Sequence, residues 1–368
     1  MVLKKIVKNL PEVQPPVEKK LDFKVKAKWT LIVLGAFFIL ANIPLYGLSG
    51  NALSRFENLA ILLGTDFGSI ISLGIGPIVT ASIILQLLVG SKIINIDTST
   101  AEGKKYFQGI QKLMVIFFVI FEACVFVLMK GLEASPGYAW VVIIQLFLGG
   151  LAIMLMDEVS NKWGFGSGVS LFIAAGVSWR LFTSLFQFIG PEGNLAASGQ
   201  ILVLINSIIN GNSIGATIAI SAIVSTIIVF LIIVWAQSLK VEIPLSFDRL
   251  RGYAIKWPLS FFYTSVMPVI LVSALAANIQ LAAGLLESWL GHATILGGFQ
   301  GGTPTSGFSL WINSNNLLQA IITGSFTTMM IWQSMFHILF YVVFSVLFAF
   351  FWVKTSGMDA QSQAKNIM

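Results

Sequence analysis

Ile214-Gly-Ala-Thr-Ile-Ala-Ile-Ser-Ala-Ile-Val-Ser-Thr-Ile-Ile-Val-Phe-Leu-Ile-Ile-Val-Trp-Ala236 runs for 23 residues without one charged side chain. About 20 such residues, rising 1.5 Å each as a helix, cross the roughly 30 Å hydrocarbon layer of a bilayer. The stretch therefore predicts a transmembrane helix. Seven further segments read the same way: Trp29–Leu48, Ser69–Gly90, Leu113–Met129, Tyr138–Met156, Val169–Ile189, Leu259–Leu286 and Phe326–Val353. No ten-residue blocks of period two occur, which argues against an outer-membrane barrel. Composition agrees. Of the 368 residues 56% are apolar and only 10% charged, where a soluble domain carries roughly a quarter charged. The fold class is all-α and polytopic.

Charge sets the orientation. With the N-terminus inside, all but three (Arg55, Lys130 and Arg180) of the 22 Lys and Arg fall on one side of the eight spans. The positive-inside rule then makes both termini cytoplasmic. The N-terminal segment is not a cleavable signal peptide, because Pro11, Pro15 and Pro16 interrupt it and no short apolar core meets a cleavage site. Leu3, Ile6, Val7 and Leu10 make an apolar face opposite Lys4, Lys5 and Lys8. This reads as a short amphipathic helix on the inner leaflet, with a solvated basic tail as the alternative.

Three features do not fit a simple bundle. Asn51–Thr65 carries an apolar stripe (Leu53, Phe56, Leu59, Ala60, Leu63) at helical spacing, yet it is too short to span and holds Arg55 and Glu57. It lies at the outer interface or folds back into the protein, which re-entrant backbone does only against protein or a water-filled cavity. Gly74, Gly76 and Pro77 interrupt the second span, Gly164, Gly166 and Gly168 open the fifth, and Pro268 sits inside the seventh. Taken singly, each glycine is explained by close helix packing. Glu122 lies near the middle of the third span, where a charge is costly, so it faces water or polar partners or is protonated. Thr80 and Asn278 are plausible hydrogen-bonding companions.

Catalysis finds little support. His292 and His337 lack HExxH spacing, Cys124 is the single cysteine, and Phe165 stands where a serine-nucleophile motif around Ser167 wants glycine. Arg180, near the outer end of its helix, reads as a snorkelling anchor. The outer Gly291–Gly307 region reads as a hairpin or loop. An ion-coupled secondary transporter of a small solute remains the alternative, although Glu122 is the lone carboxylate well inside a span.

Longer motifs decide between these readings. Leu73-Gly-Ile-Gly-Pro-Ile-Val-Thr80 with Ile84-Leu-Gln-Leu-Leu-Val-Gly90, Phe107-Gln-Gly-Ile-Gln-Lys112, Gly164-Phe-Gly-Ser-Gly168 with Leu171-Phe-Ile-Ala-Ala-Gly-Val177, Val241-Glu-Ile-Pro-Leu245 and Ala277-Asn-Ile-Gln280 together resemble the SecY family, in its archaeal form. The resemblance runs from about Leu10 to the C-terminus. It implies the central subunit of the protein-conducting channel, which passes secretory polypeptides and releases transmembrane segments through a lateral gate. That subunit is not an enzyme, binds no cofactor and sits in the cell membrane.

The family fold is two inverted five-helix repeats. Here it implies a cytoplasmic segment 1–28, a first half 29–190 containing a plug at 51–65, a second half 191–353 with three helices, and a cytoplasmic tail 354–368. A ring of aliphatic side chains at the waist corresponds to Ile75, Val79, Val169, Ile173 and Ile270. The plug carries Leu53, Phe56, Leu59 and Leu63. Thr80, Glu122 and Asn278 form a polar cluster at the gate, a seam between the second and third spans and the seventh and eighth. The loop Gln237–Pro258, with Arg249 and Arg251, corresponds to a ribosome-docking loop, although membrane-surface binding fits its charge as well. The implied partners are a SecE-like single-helix subunit, a small SecBeta-like subunit, the ribosome, the nascent polypeptide with its signal sequence, and membrane lipid. Family members continue with a large basic loop and two further helices, so the end at Met368 implies a truncated chain or natural fragment.

Overall fold

The computed structural model describes residues 10–18, 21–56, 59–60, 63–97, 100–188, 199–245, 255–264, 266–356, 358–360 and 363. Its elements in chain order are α1 (Phe23–Ala41), β1 (Leu48–Asn51), a 3-10 helix (Ala52–Phe56), α2 (Gly76–Gly90), α3 (Ala101–Leu128), β2 (Leu132–Ala134), α4 (Ala139–Trp163) and α5 (Gly168–Phe186). There follow α6 (Gln200–Ile209), α7 (Ser213–Ser238), β3 (Lys240–Leu245), β4 (Ile255–Ser260) and α8 (Met267–Leu290). The last are β5 (Gly298–Gln300), β6 (Thr303–Ser306), α9 (Gly307–Ile312), α10 (Leu317–Thr323) and α11 (Thr328–Thr355).

Six helices, α3, α4, α5, α7, α8 and α11, are long and apolar enough to cross a membrane. The helices of the first and second expected spans do not meet that measure, each for a visible reason. α1 begins at Phe23, so Lys24, Lys26 and Lys28 occupy its first two turns. α2 begins only at Gly76 and has 15 residues. Ahead of it, the Ser69 hydroxyl donates to the Asp66 carbonyl at 2.7 Å and the Ser72 hydroxyl to the Ser69 carbonyl at 2.5 Å, and Gly74 has φ +54°. Hydroxyls that bond locally compete with the helix ladder, and a left-handed glycine ends it. Pro77 then sits in the first turn, where its missing N–H costs nothing.

Two other boundaries differ from the sequence reading for the same kind of reason. Pro268 does not interrupt the seventh span: it is the second residue of α8, and the stretch expected to begin that span, from Leu259, instead completes β4. The fourth span continues past Met156 to Trp163, and the turn after it is fastened by Thr30, which accepts from the Phe165 amide at 3.3 Å, and by the Ser160 hydroxyl, which donates to the Gly166 carbonyl at 2.8 Å. Within the loop expected at Gln237–Pro258, β3 and β4 pair antiparallel from Lys240↔Ser260 to Leu245↔Ile255, and residues 246–254 lie outside the described residues. Gly291–Gly307 contains the β5–β6 hairpin. The N-terminal amphipathic pattern over Leu3–Val7 lies outside the described residues.

Two compact units emerge. The first holds residues 1–180, 269–314 and 331–368, and within it α1 packs on α4, α2 on α3, and α3 on α4. All the tightly buried apolar side chains of the main core lie here, from Val33 and Phe37 to Phe340 and Phe348. α4 approaches its neighbours through Gly149 and Gly150: a Cβ at Gly149 would strike the Ile70 carbonyl, and one at Gly150 would lie 2.6 Å from Val119 Cγ1. Small residues permitting backbone contact are how membrane helices pack where lipid removes the hydrophobic drive. The second unit holds residues 181–268 and 315–330; in it α6 and α10 pack on α7, and β3 pairs with β4. α7 buries only Ala219; its run Ile227–Trp235 is exposed, as suits a lipid-facing surface.

Candidate plug and gate site

The segment after α1 does not form one helix over Asn51–Thr65 as its apolar stripe suggests. Its first residues add a strand: β1 pairs antiparallel with β2, and Asn51 opposes Leu132. The Asn51 side chain then turns the chain, donating to the Phe67 carbonyl at 2.8 Å and accepting from the Ser54 amide at 3.1 Å. Asn and Ser in a short turn offer the backbone such local partners, so Ala52–Phe56 is a tight 3-10 turn, while the described residues 59–60 further on are α-helical. The apolar stripe is nevertheless buried as its spacing predicts. Leu53, Phe56, Leu59, Ala60 and Leu63 are each at most 8% exposed.

The end of this segment is fastened to the start of α2. The Ile75 amide donates to the Leu63 carbonyl at 2.9 Å, and the Thr65 hydroxyl donates to the Ile71 carbonyl at 2.6 Å. Glycine is required at position 74, because a Cβ there would collide with that same Leu63 carbonyl. Of the five aliphatic residues expected at a waist, Ile75 and Val79 are buried, and Val169 and Ile173 are partly buried against the core. Ile270 is partly buried as well.

Thr80, Glu122 and Asn278 come together. The Asn278 side-chain amide donates to Thr80 Oγ1 at 2.9 Å, joining α8 to α2. The Thr80 hydroxyl lies 2.8 Å from the Gly76 carbonyl and 3.5 Å from Glu122 Oε1, so its single proton favours the carbonyl. Three helices (α2, α3, α8) thus share one polar contact inside apolar packing.

Two ionic sites were not foreseen. Arg55, on the 3-10 turn, pairs with Glu287 of α8 at 3.1 Å, and Glu287 also accepts from the Phe299 amide at 2.9 Å. Phe56 meets Phe299 edge-on, with ring centroids 4.9 Å apart. The available signal was the position of Arg55, one of three cations off the lysine-rich side. The other site is a clamp that holds residues 12–14 against α3 and the C-terminal end of α4. Lys112 of α3 reaches Glu158 of α4 at 2.6 Å, Lys162 bridges Glu158 at 3.0 Å and Glu12 at 2.7 Å, and the Trp163 indole donates to the Gln14 carbonyl at 2.9 Å. The Lys162 ammonium holds the Glu12 carboxyl below its ordinary value. Arg249 and Arg251 lie outside the described residues.

Residues 69–368 match the SecY family. This chain belongs to the SecY family. It is 43% identical, over 364 residues, to the protein translocase subunit SecY of Methanothermobacter thermautotrophicus, covering 97% of this chain and 78% of that protein. A solved SecY channel, described for a plug domain that stabilises its closed state and maintains a membrane seal, matches with a TM-score of 0.79 at 39% identity, over 99% of this chain and 80% of that one. Canine Sec61, solved in a ribosome–channel complex from the endoplasmic reticulum, matches with a TM-score of 0.77 at 37% identity, again over 99% and 80%. The fold is the all-α SecY fold, and the protein is a multi-pass membrane protein.

Proposed function

We propose that this chain is the pore-forming subunit of a protein translocation channel, passing secretory polypeptides across the membrane and releasing transmembrane segments sideways into lipid. It works as a conduit and carries out no chemical transformation. The observation that carries the reading is the hydrogen bond from the Ile75 amide to the Leu63 carbonyl, which joins the buried 51–65 segment to the residues of the aliphatic waist.

Ile75, Val79, Val169, Ile173 and Ile270 form the constriction. A narrow apolar neck dewets and blocks ions, while branched aliphatic side chains part around a peptide of any sequence. Leu53, Phe56, Leu59 and Leu63 seat the plug that closes it. Thr80, Glu122 and Asn278 latch the lateral gate, and an apolar signal sequence enters it by burial worth about 25 cal/mol per Å². The two halves, 29–190 and 191–353, hinge about this seam and are held by a SecE-like helix, with a small SecBeta-like subunit alongside. The charge asymmetry supports cytoplasmic termini in a cell membrane. The loop Gln237–Pro258, with Arg249 and Arg251 in its sequence, docks the ribosome, as basic side chains suit RNA phosphate.

The test is ionic leak through the reconstituted protein. Ile75→Gly with Val79→Gly is expected to raise conductance at least tenfold; unchanged conductance contradicts the constriction. Saturable uptake of a small solute, abolished by Glu122→Gln, would instead favour a transporter.

A further inference from the structure

Burial of apolar side chains holds the 51–65 segment in place, but burial alone does not make a seat that is both specific and releasable. The geometry points to a switchable fastening at Arg55: we propose that the Arg55–Glu287 pair positions the plug in its closed seat against α8 and the β5–β6 hairpin, and that channel opening requires this pair to break. The proposal rests on the plug reading above.

Four observations carry it. First, the only ion pair of the segment among the described residues runs to α8, the helix that also carries the gate residue Asn278. Second, Glu287 is held from both sides: one oxygen accepts from Arg55 at 3.1 Å and the other from the Phe299 amide at 2.9 Å. Its carboxylate is therefore a fixed anchor linking turn, helix and hairpin. Third, the seat is shaped to the turn. The guanidinium lies 4.9 Å from the Phe56 ring centroid and 5.9 Å from that of Phe299, within cation–π range. A Cβ at Gly284 would lie 2.5 Å from Phe56 Cζ, and one at Gly302 would overlap the Arg55 carbonyl. Fourth, the fastening is built short of full strength. Among the described residues, the guanidinium's polar contacts, to Glu287, to the Ser288 hydroxyl at 3.4 Å and to the Gly284 carbonyl at 3.5 Å, all use Nη2, and its buried Nε meets no partner there. A carboxylate and guanidinium in full register make two parallel bonds. This pair makes one, and both side chains remain partly accessible at 28% and 18%. Such a pair discriminates closed from open without locking the segment.

The experiment compares ionic leak of the whole reconstituted protein across four forms. Arg55→Ala and Glu287→Gln, each of which leaves the aliphatic waist intact, are expected to raise resting leak about fivefold, as loss of a partly shielded pair with its ring contacts implies. Arg55→Lys, which keeps a cation within reach of the Glu287 carboxylate and leaves the Phe299 amide its acceptor, is expected to leak within about twofold of the parent, a retention that mere packing damage would not give. Arg55→Ala and Glu287→Gln variants that seal as well as the parent, or an Arg55→Lys form that leaks as much as Arg55→Ala, overturn the proposal. The fourth form is Ile75→Gly with Val79→Gly. If it leaks while the Arg55 and Glu287 variants seal, the latch is wrong and the channel reading stands; if it does not leak, the constriction reading fails and the latch with it. Should Arg55→Ala fail to fold, Glu287→Gln, an isosteric change, decides alone.

Discussion

Thr80 illustrates what one side chain does in this chain. Its oxygen accepts from Asn278 on another helix while its proton turns back to the Gly76 carbonyl. Replacing it with valine keeps the shape but leaves the Asn278 amide facing apolar groups. Hydrogen bonds between membrane helices average about 0.6 kcal/mol and reach about 1.7. Thr80→Val is therefore expected to lower Tm in detergent by about 2 °C, with Thr80→Ser close to the parent. An unchanged Tm for the valine variant would show that the contact bears no load. The cluster was legible in the sequence because Glu122, Thr80 and Asn278 are polar residues inside apolar spans, where each demands a partner. Arg55 and Glu287 were not paired in advance for an equally physical reason. They lie 232 residues apart and neither sits on a periodic face that points to the other. Charge at a span edge has many acceptable neighbours, including water.

At the scale of elements, hydropathy located the helices, and local chemistry moved their ends. The start of α2 was misplaced because Ser69 and Ser72 count as nearly neutral in a hydropathy window yet divert the backbone through hydroxyl bonds. Pro268 was taken as an interruption because the apolar run from Leu259 hides the change from strand to helix. The short strands were beyond reach: three or four residues, as in β1 and β2, leave no period to detect. The strap over residues 11–14 was also invisible, since its partners Lys112, Glu158 and Lys162 belong to other elements. Its pH response has a defined sign. Because Lys162 depresses the folded pKa of Glu12 below 4.5, the stabilisation is complete above the unfolded value and disappears as pH falls through the folded one. Limited proteolysis within residues 10–18 is expected to speed up on acidification below about pH 4, and Glu12→Gln to be cleaved faster already at neutral pH. A rate that is the same for parent and variant at pH 7 would show that this ion pair does not hold the strap.

For the molecule as a whole, membrane class and family were legible because they rest on long-range statistics: uncharged runs, lysine asymmetry and several motifs in order. The chain spans about four fifths of the length of the relatives it matches. What composition does not encode is a route. A lipid-facing aliphatic side chain and a pore-facing one have the same hydropathy, and only the SecY motifs singled out five such residues. The account therefore stands or falls on where a moving polypeptide touches this chain. A photoreactive residue placed in turn at positions 75, 79, 169, 173 and 270, with positions 117 and 228 on exposed apolar surface as references, measures this directly against a stalled secretory chain. The account predicts crosslinks at the five and background at the two references. Equal crosslinking at position 228, or silence at 75 and 79 while a chain is engaged, would contradict it.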